Sequence, residues 1–214
     1  MLLAALPAQS AEPLRFVDAH SHLLPNMTAD EQMAMFKKAG VTSVVIMSLP
    51  QDRQDLVKRY AGYVIPFVSF ARNPNSTLLP LNADTLAAFD RMLDSGAACG
   101  FGEIGTTTDP PEPSASTLMN PLRMKLYELA ARHHAPLTSH VNLDTPEVIE
   151  AFGRIARLHP DMPLILAHAG FNAGAEVSAA LLAAHPNIYV ELSIRLDPLN
   201  GFGDTPTTPE ARQR

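Results

Sequence analysis

Short apolar runs alternate with amphipathic stretches along most of this 214-residue chain, and that rhythm constrains the fold more than any other feature. Parallel strands need a crossover between them, and a helix is the usual one, so the alternation reads as a series of βα units. Strands are expected at 15–20, 42–48, 63–70, 99–105, 136–141, 163–169 and 188–194. Several of these runs are almost continuously apolar, as strands covered on both faces are. Start signals stand before the intervening helices. Thr28 and Glu31 form a capping-box pattern ahead of 33–38, with Gly40 where a stop belongs. Asn120-Pro121 and Thr145-Pro146 each place a cap before proline at the first helical position. Leu122, Leu126 and Leu129 are expected to line one helix, and Val148, Phe152 and Ile155 the next. The stretches 84–95 and 174–184 fill the same role, and 51–61 forms a shorter helix.

Seven strands with helical crossovers predict an α/β fold, a TIM (β/α)8-type barrel that is incomplete because its eighth βα unit is missing. Thr208-Pro209-Glu210 reads as the start of one more helix, so the chain is expected to be cut short within it. Residues 14–214 then form one domain. Residues 1–13, apolar and then small, read as a signal-peptide remnant or a disordered start. The first reading implies a periplasmic or secreted protein and the second a cytoplasmic one.

Composition removes several alternatives. A net charge of −6 argues against a nucleic-acid partner bound by phosphate neutralisation and suits a small-molecule substrate. No apolar run approaches the roughly 20 residues of a membrane span. The single cysteine, Cys99, excludes an internal disulfide and a Cys-rich zinc cluster. A metal must therefore be held by His, Asp and Glu.

The residues for that task cluster at the predicted strand ends. In Phe16-Val17-Asp18-Ala19-His20-Ser21-His22, alternation lets Asp18, His20 and His22 share one face. Two imidazoles held rigidly at a strand end are what a divalent ion needs, whereas a solvated pair starting a loop is the plainer alternative. His140 and His168 close the fifth and sixth predicted strands, where burial of an imidazole is costly unless it is bonded or ligated. Glu103, in Gly-Phe-Gly-Glu-Ile-Gly, closes the fourth, with glycines that let a ligand approach the backbone. It is expected to bridge two cations or act as a base, with a structural salt bridge as the alternative. Asp18 is expected to fix an imidazole by a hydrogen bond. Glu191 reads as a pocket-lining or structural residue, and His133, His134, His159 and His185 as surface groups.

Asp-Ala-His-Ser-His, Leu-Ala-His-Ala-Gly and Tyr-Val-Glu-Leu-Ser resemble segments of the amidohydrolase superfamily, chiefly its amidohydrolase-2 branch, from about Phe16 to Arg214. Gly-Glu-Ile-Gly around Glu103 is similar to the fourth-strand segment of TatD-like hydrolases. The resemblance implies a TIM barrel with one or two divalent ions, often zinc, and His20, His22, Glu103, His140 and His168 as ligands or metal-facing groups. It implies a metal-dependent hydrolase acting on an amide, ester, lactone or phosphoester. Relatives that are single-metal decarboxylases give the alternative of a lyase. The family also places a metal-binding, proton-accepting Asp on its eighth strand. Asp204 follows the seventh strand too closely to take that role, so an inactive fragment is a third expectation.

Overall fold

The computed structural model describes residues 15–48, 54–69, 80–105, 114–171 and 173–193. Its strands are β1 (Phe16–Ser21), β2 (Val41–Ser48), β3 (Val64–Val68), β4 (Gly100–Ile104), β5 (Leu137–Ser139), β6 (Leu164–Leu166) and β7 (Ile188–Val190). They form a single parallel sheet in sequence order, curled into an incomplete TIM barrel as expected. The helices are α1 (Ala29–Lys38), α2 (Gln54–Arg59), α3 (Ala83–Asp94), α4 (Ala115–Leu118), α5 (Pro121–Arg132), α6 (Pro146–Leu158) and α7 (Ala175–Ala184). The segments 1–13 and 204–210, and most of the 106–116 loop, lie outside the described residues.

Local chemistry sets the helix ends. Thr28 and Glu31 close the capping box reciprocally, the Glu31 N–H donating to Thr28 Oγ1 at 3.2 Å and the Thr28 N–H to Glu31 Oε2 at 2.8 Å. Gly40, at φ 89°, takes the left-handed position after α1 that side chains avoid. The Asn120 and Thr145 side chains cap α5 and α6, each followed by proline. The predicted stripe on α6 is buried throughout. On α5 it shifts: Leu122 is exposed, and the buried face is Arg123, Leu126, Tyr127, Leu129 and Ala130. Pro121 and Leu122, the first two residues of the capped helix, are both exposed.

The main core packs β3–β7 against α3–α6, with Phe101, Phe152 and Leu126 fully buried. A second cluster seats α1 and α2 on β2 through Met33, Val44, Ile46 and Leu56. The glycines of β4 serve this packing. A Cβ on Gly100 would lie 2.7 Å from the Pro136 carbonyl oxygen, and one on Gly102 would lie 2.9 Å from Thr138 Cβ. Gly100→Ala should therefore destabilise the protein by about 1–3 kcal/mol, read as a lower urea midpoint at unchanged slope.

His159 and His185 are buried, against the surface position expected for them. Each ends its helix and packs against a neighbouring one. The His159 ring stands 6.0 Å from Tyr127, and His185 fits over Gly153, where a Cβ would meet its Nε2 at 2.9 Å. Burial lowers the His159 pKa, and its buried Nε2 has no hydrogen-bond partner among the described residues. The folded form thus resists a proton that the unfolded chain takes up near pH 6.5, so stability falls as pH drops below that value. His159→Leu should flatten this acid limb, seen as a smaller Tm difference between pH 7.5 and 5.5 than in the wild type.

Candidate metal centre

Five side chains from the predicted strand ends converge on one point at the mouth of the sheet, and Glu103 stands at its centre. Its Oε1 receives His140 Nδ1 in a short hydrogen bond and lies 2.9 Å from His168 Nε2. Its Oε2 faces His20 Nε2 at 3.6 Å and His22 Nε2 at 3.5 Å. Those two imidazole nitrogens are 3.2 Å apart. His20, His168 and Glu103 are nearly enclosed, whereas the His22 side chain is 37% exposed and opens the cluster to solvent.

Strand ends and turns aim these groups. His20 lies in β1, and His22 follows it, its Nδ1 donating to the Met47 carbonyl of β2 at 3.1 Å. Glu103 is in β4. β5 and β6 end earlier than expected, so His140 stands just past Ser139, and His168 falls in a 3-10 turn, Ala167–Gly170, instead of a strand. Four successive residues, His168, Ala169, Gly170 and Phe171, have φ between 48° and 74°. Only one of them is glycine, so sequence gives no sign of this left-handed turn. It lays the Phe171 ring 4.4 Å from His140 and 4.7 Å from His168, centroid to centroid.

The role expected of Asp18 is corrected. Its Oδ1 accepts the backbone N–H of His20 at 3.0 Å, a local bond that a short side chain two residues away reaches more readily than the ring. The ring is held by Glu191, whose Oε1 lies 2.9 Å from His20 Nδ1. Glu191 follows β7, and its direction could not be read because strand alternation ends at Val190.

Charge is concentrated here. Burial alone would push the His20 pKa down, yet hydrogen bonds to Glu103 and Glu191 outweigh it and raise it to about 9. Burial likewise opposes the Glu103 charge, but hydrogen bonds from His140, His168, His20 and His22 hold its carboxyl well below the usual range. Glu191, against the same burial, is lowered to about 2, chiefly by His20.

These donors fit a divalent ion. Nitrogen and carboxylate ligands sit about 2.1 Å from zinc, which puts neighbouring donors of a tetrahedral site about 3.4 Å apart. The triangle of His20 Nε2, His22 Nε2 and Glu103 Oε2, with edges of 3.2, 3.5 and 3.6 Å, matches that spacing. His168 also brings a ring nitrogen within ligand distance of the His20–Glu103 pair. On the Oε1 side the hydrogen bonds to His140 and His168 are closer than donors sharing an ion would be.

The sequence model described as Amidohydrolase matches residues 17–213. Among solved structures, the chain is similar to an uncharacterized TIM-barrel protein from Bordetella bronchiseptica, at TM-score 0.58 and 14% identity over 77% of this chain and 59% of that one. It thus spans about three-fifths of that relative's length. It is also similar to Amidohydrolase 2 from Bifidobacterium longum subsp. infantis, at TM-score 0.54 and 20% identity over 94% and 78% of the two chains. A 2,6-dihydroxybenzoate decarboxylase from Rhizobium follows at TM-score 0.53 and 11% identity, over 74% and 68%. At such identities the likeness carries the fold alone. No curated protein matches the sequence.

Proposed function

The chain belongs to the amidohydrolase family, and from that premise we propose that it is a metal-dependent hydrolase of a small molecule bearing an amide, ester, lactone or phosphoester. The observation that carries this reading is the donor triangle of His20 Nε2, His22 Nε2 and Glu103 Oε2, spaced for one ion at the open mouth of the sheet. When bound, a divalent ion such as zinc supplies Lewis acidity, which acidifies water and polarises a carbonyl or phosphoryl oxygen.

The protein's own groups do the rest. His20, His22 and Glu103 hold the ion, and Glu103 stays ionised because four imidazoles surround it. His140 and His168 clamp Oε1, so the carboxylate cannot swing away from the His20–His22 pair. His140 donates its Nδ1–H to Oε1 and is the more exposed of the two, so it links the carboxylate to the solvent side of the site. Glu191 and the Met47 carbonyl fix the rings of His20 and His22. His22, the most exposed of these rings, marks the side from which substrate enters.

One observation favours a second reading, a single-ion decarboxylase. The Oε1 side of Glu103 already accepts hydrogen bonds from His140 and His168, and the donor triangle at Oε2 is spaced for a single ion. Both readings are tested by metal analysis of the purified protein, followed by assay of the zinc- and manganese-loaded forms. Lactones, esters, amides and phosphoesters form one panel, and aromatic carboxylates scored for CO2 release form the other. Turnover in the first panel supports the hydrolase; CO2 release alone supports the lyase. A folded protein that takes up no ion overturns both.

A further inference from the structure

We infer that Glu191 is a positioning residue: its carboxylate turns the His20 ring so that Nε2, and not Nδ1, faces Glu103. The inference rests on the metal-centre reading above and deepens it. Glu191 Oε1 lies 2.9 Å from His20 Nδ1 and accepts the His168 backbone N–H at 2.6 Å. Its Oε2 accepts the Ser193 backbone N–H at 2.7 Å. Ser193 Oγ, in turn, lies 2.9 Å from His168 Nδ1. One carboxylate therefore sets two of the rings around Glu103, one directly and one through its own backbone and its neighbour.

The geometry goes beyond a packing contact. A ring nitrogen can ligate a cation only through a lone pair, and the hydrogen bond at one nitrogen decides which of the two is left to do so. A carboxylate is acceptor-only, so Glu191 obliges Nδ1 to carry the proton and keeps Nε2 on the cluster side. The backbone N–H groups of His168 and Ser193 also donate to the Glu191 carboxylate. An amide in its place would turn an NH2 group onto a donor at one end or the other, with almost no change of volume. Such outer carboxylates typically hold roughly 10–100-fold in metal affinity.

Glu191→Gln separates this role from a structural one. Zinc affinity is measured by chelator competition, and the His20 Nδ1–H proton is followed by NMR in ion-free protein with 15N-labelled histidine. The variant should keep the wild-type circular dichroism, bind zinc roughly 10–100-fold more weakly, and lose the exchange-protected His20 Nδ1–H signal. Wild-type zinc affinity, or an undiminished proton signal, in folded E191Q overturns the inference. If E191Q does not fold, Glu191→Asp is judged by the same two readouts. If the wild-type protein binds no zinc, the metal-centre reading falls, and the proton signal decides alone. Present in the wild type and lost in the variant, it supports the positioning role; absent from the wild type, it overturns it.

Discussion

Replacing Glu103 with glutamine should weaken zinc binding by roughly 100-fold or more, beyond what loss of an outer partner does. The carboxylate is 5% exposed and faces four imidazoles, two at each oxygen. Glutamine keeps the volume and removes the charge that balances the ion. It also turns an NH2 group toward ring nitrogens, so one pair of imidazoles loses its acceptor. In ion-free protein the charged His20 keeps Glu191 at 2.9 Å but loses the second carboxylate at 3.6 Å, and stripping a counter-charge from a buried cation is destabilising. The variant should therefore show both weaker uptake, by chelator competition, and a lower Tm without metal. Wild-type affinity in E103Q would place the ion elsewhere.

Phe101→Ala should destabilise the protein by about 3–5 kcal/mol, a large share of the 5–15 kcal/mol typical of a domain. Phe101 is fully buried in β4, two residues before Glu103, and its ring meets Phe89 of α3 edge-on at 5.8 Å between centroids. Truncation leaves a void between strand and helix that a parallel sheet packed on both sides cannot close cheaply. Phe101→Leu, which refills most of that space, should lose much less. Urea unfolding of both variants checks the pair. A loss below about 1 kcal/mol for the alanine variant would show that β4 is not anchored by this ring.

The sheet was legible because each strand carried an apolar run and α1, α3, α5 and α6 each a side-chain cap that depends on neighbouring residues only. Thr28 with Glu31, and Thr145 with Pro146, act over one turn, and the structure uses them as written. His20, His22, Glu103, His140 and His168 were legible for a related reason: polar groups ending apolar strands need a partner in space. What escaped the sequence is what depends on distant chain. The choice of Glu191 over Asp18 as the partner of the His20 ring turns on how β1 and β7 approach each other, which no local pattern encodes. The turn through His168 and Phe171 escaped because side-chain residues there adopt a conformation that glycine usually signals. Gly100 and Gly102 also make room for Phe67, Pro136 and Thr138, neighbours that a glycine's presence in the sequence does not name.

The bond between His20 and Glu191 joins positions 171 residues apart. A nascent chain therefore cannot fix the His20 ring until Glu191, just after β7, has emerged and met it. A cation that prefers the ring so fixed then acts as a late lock on folding. Such a cation would raise the unfolding midpoint as the logarithm of its free concentration rises.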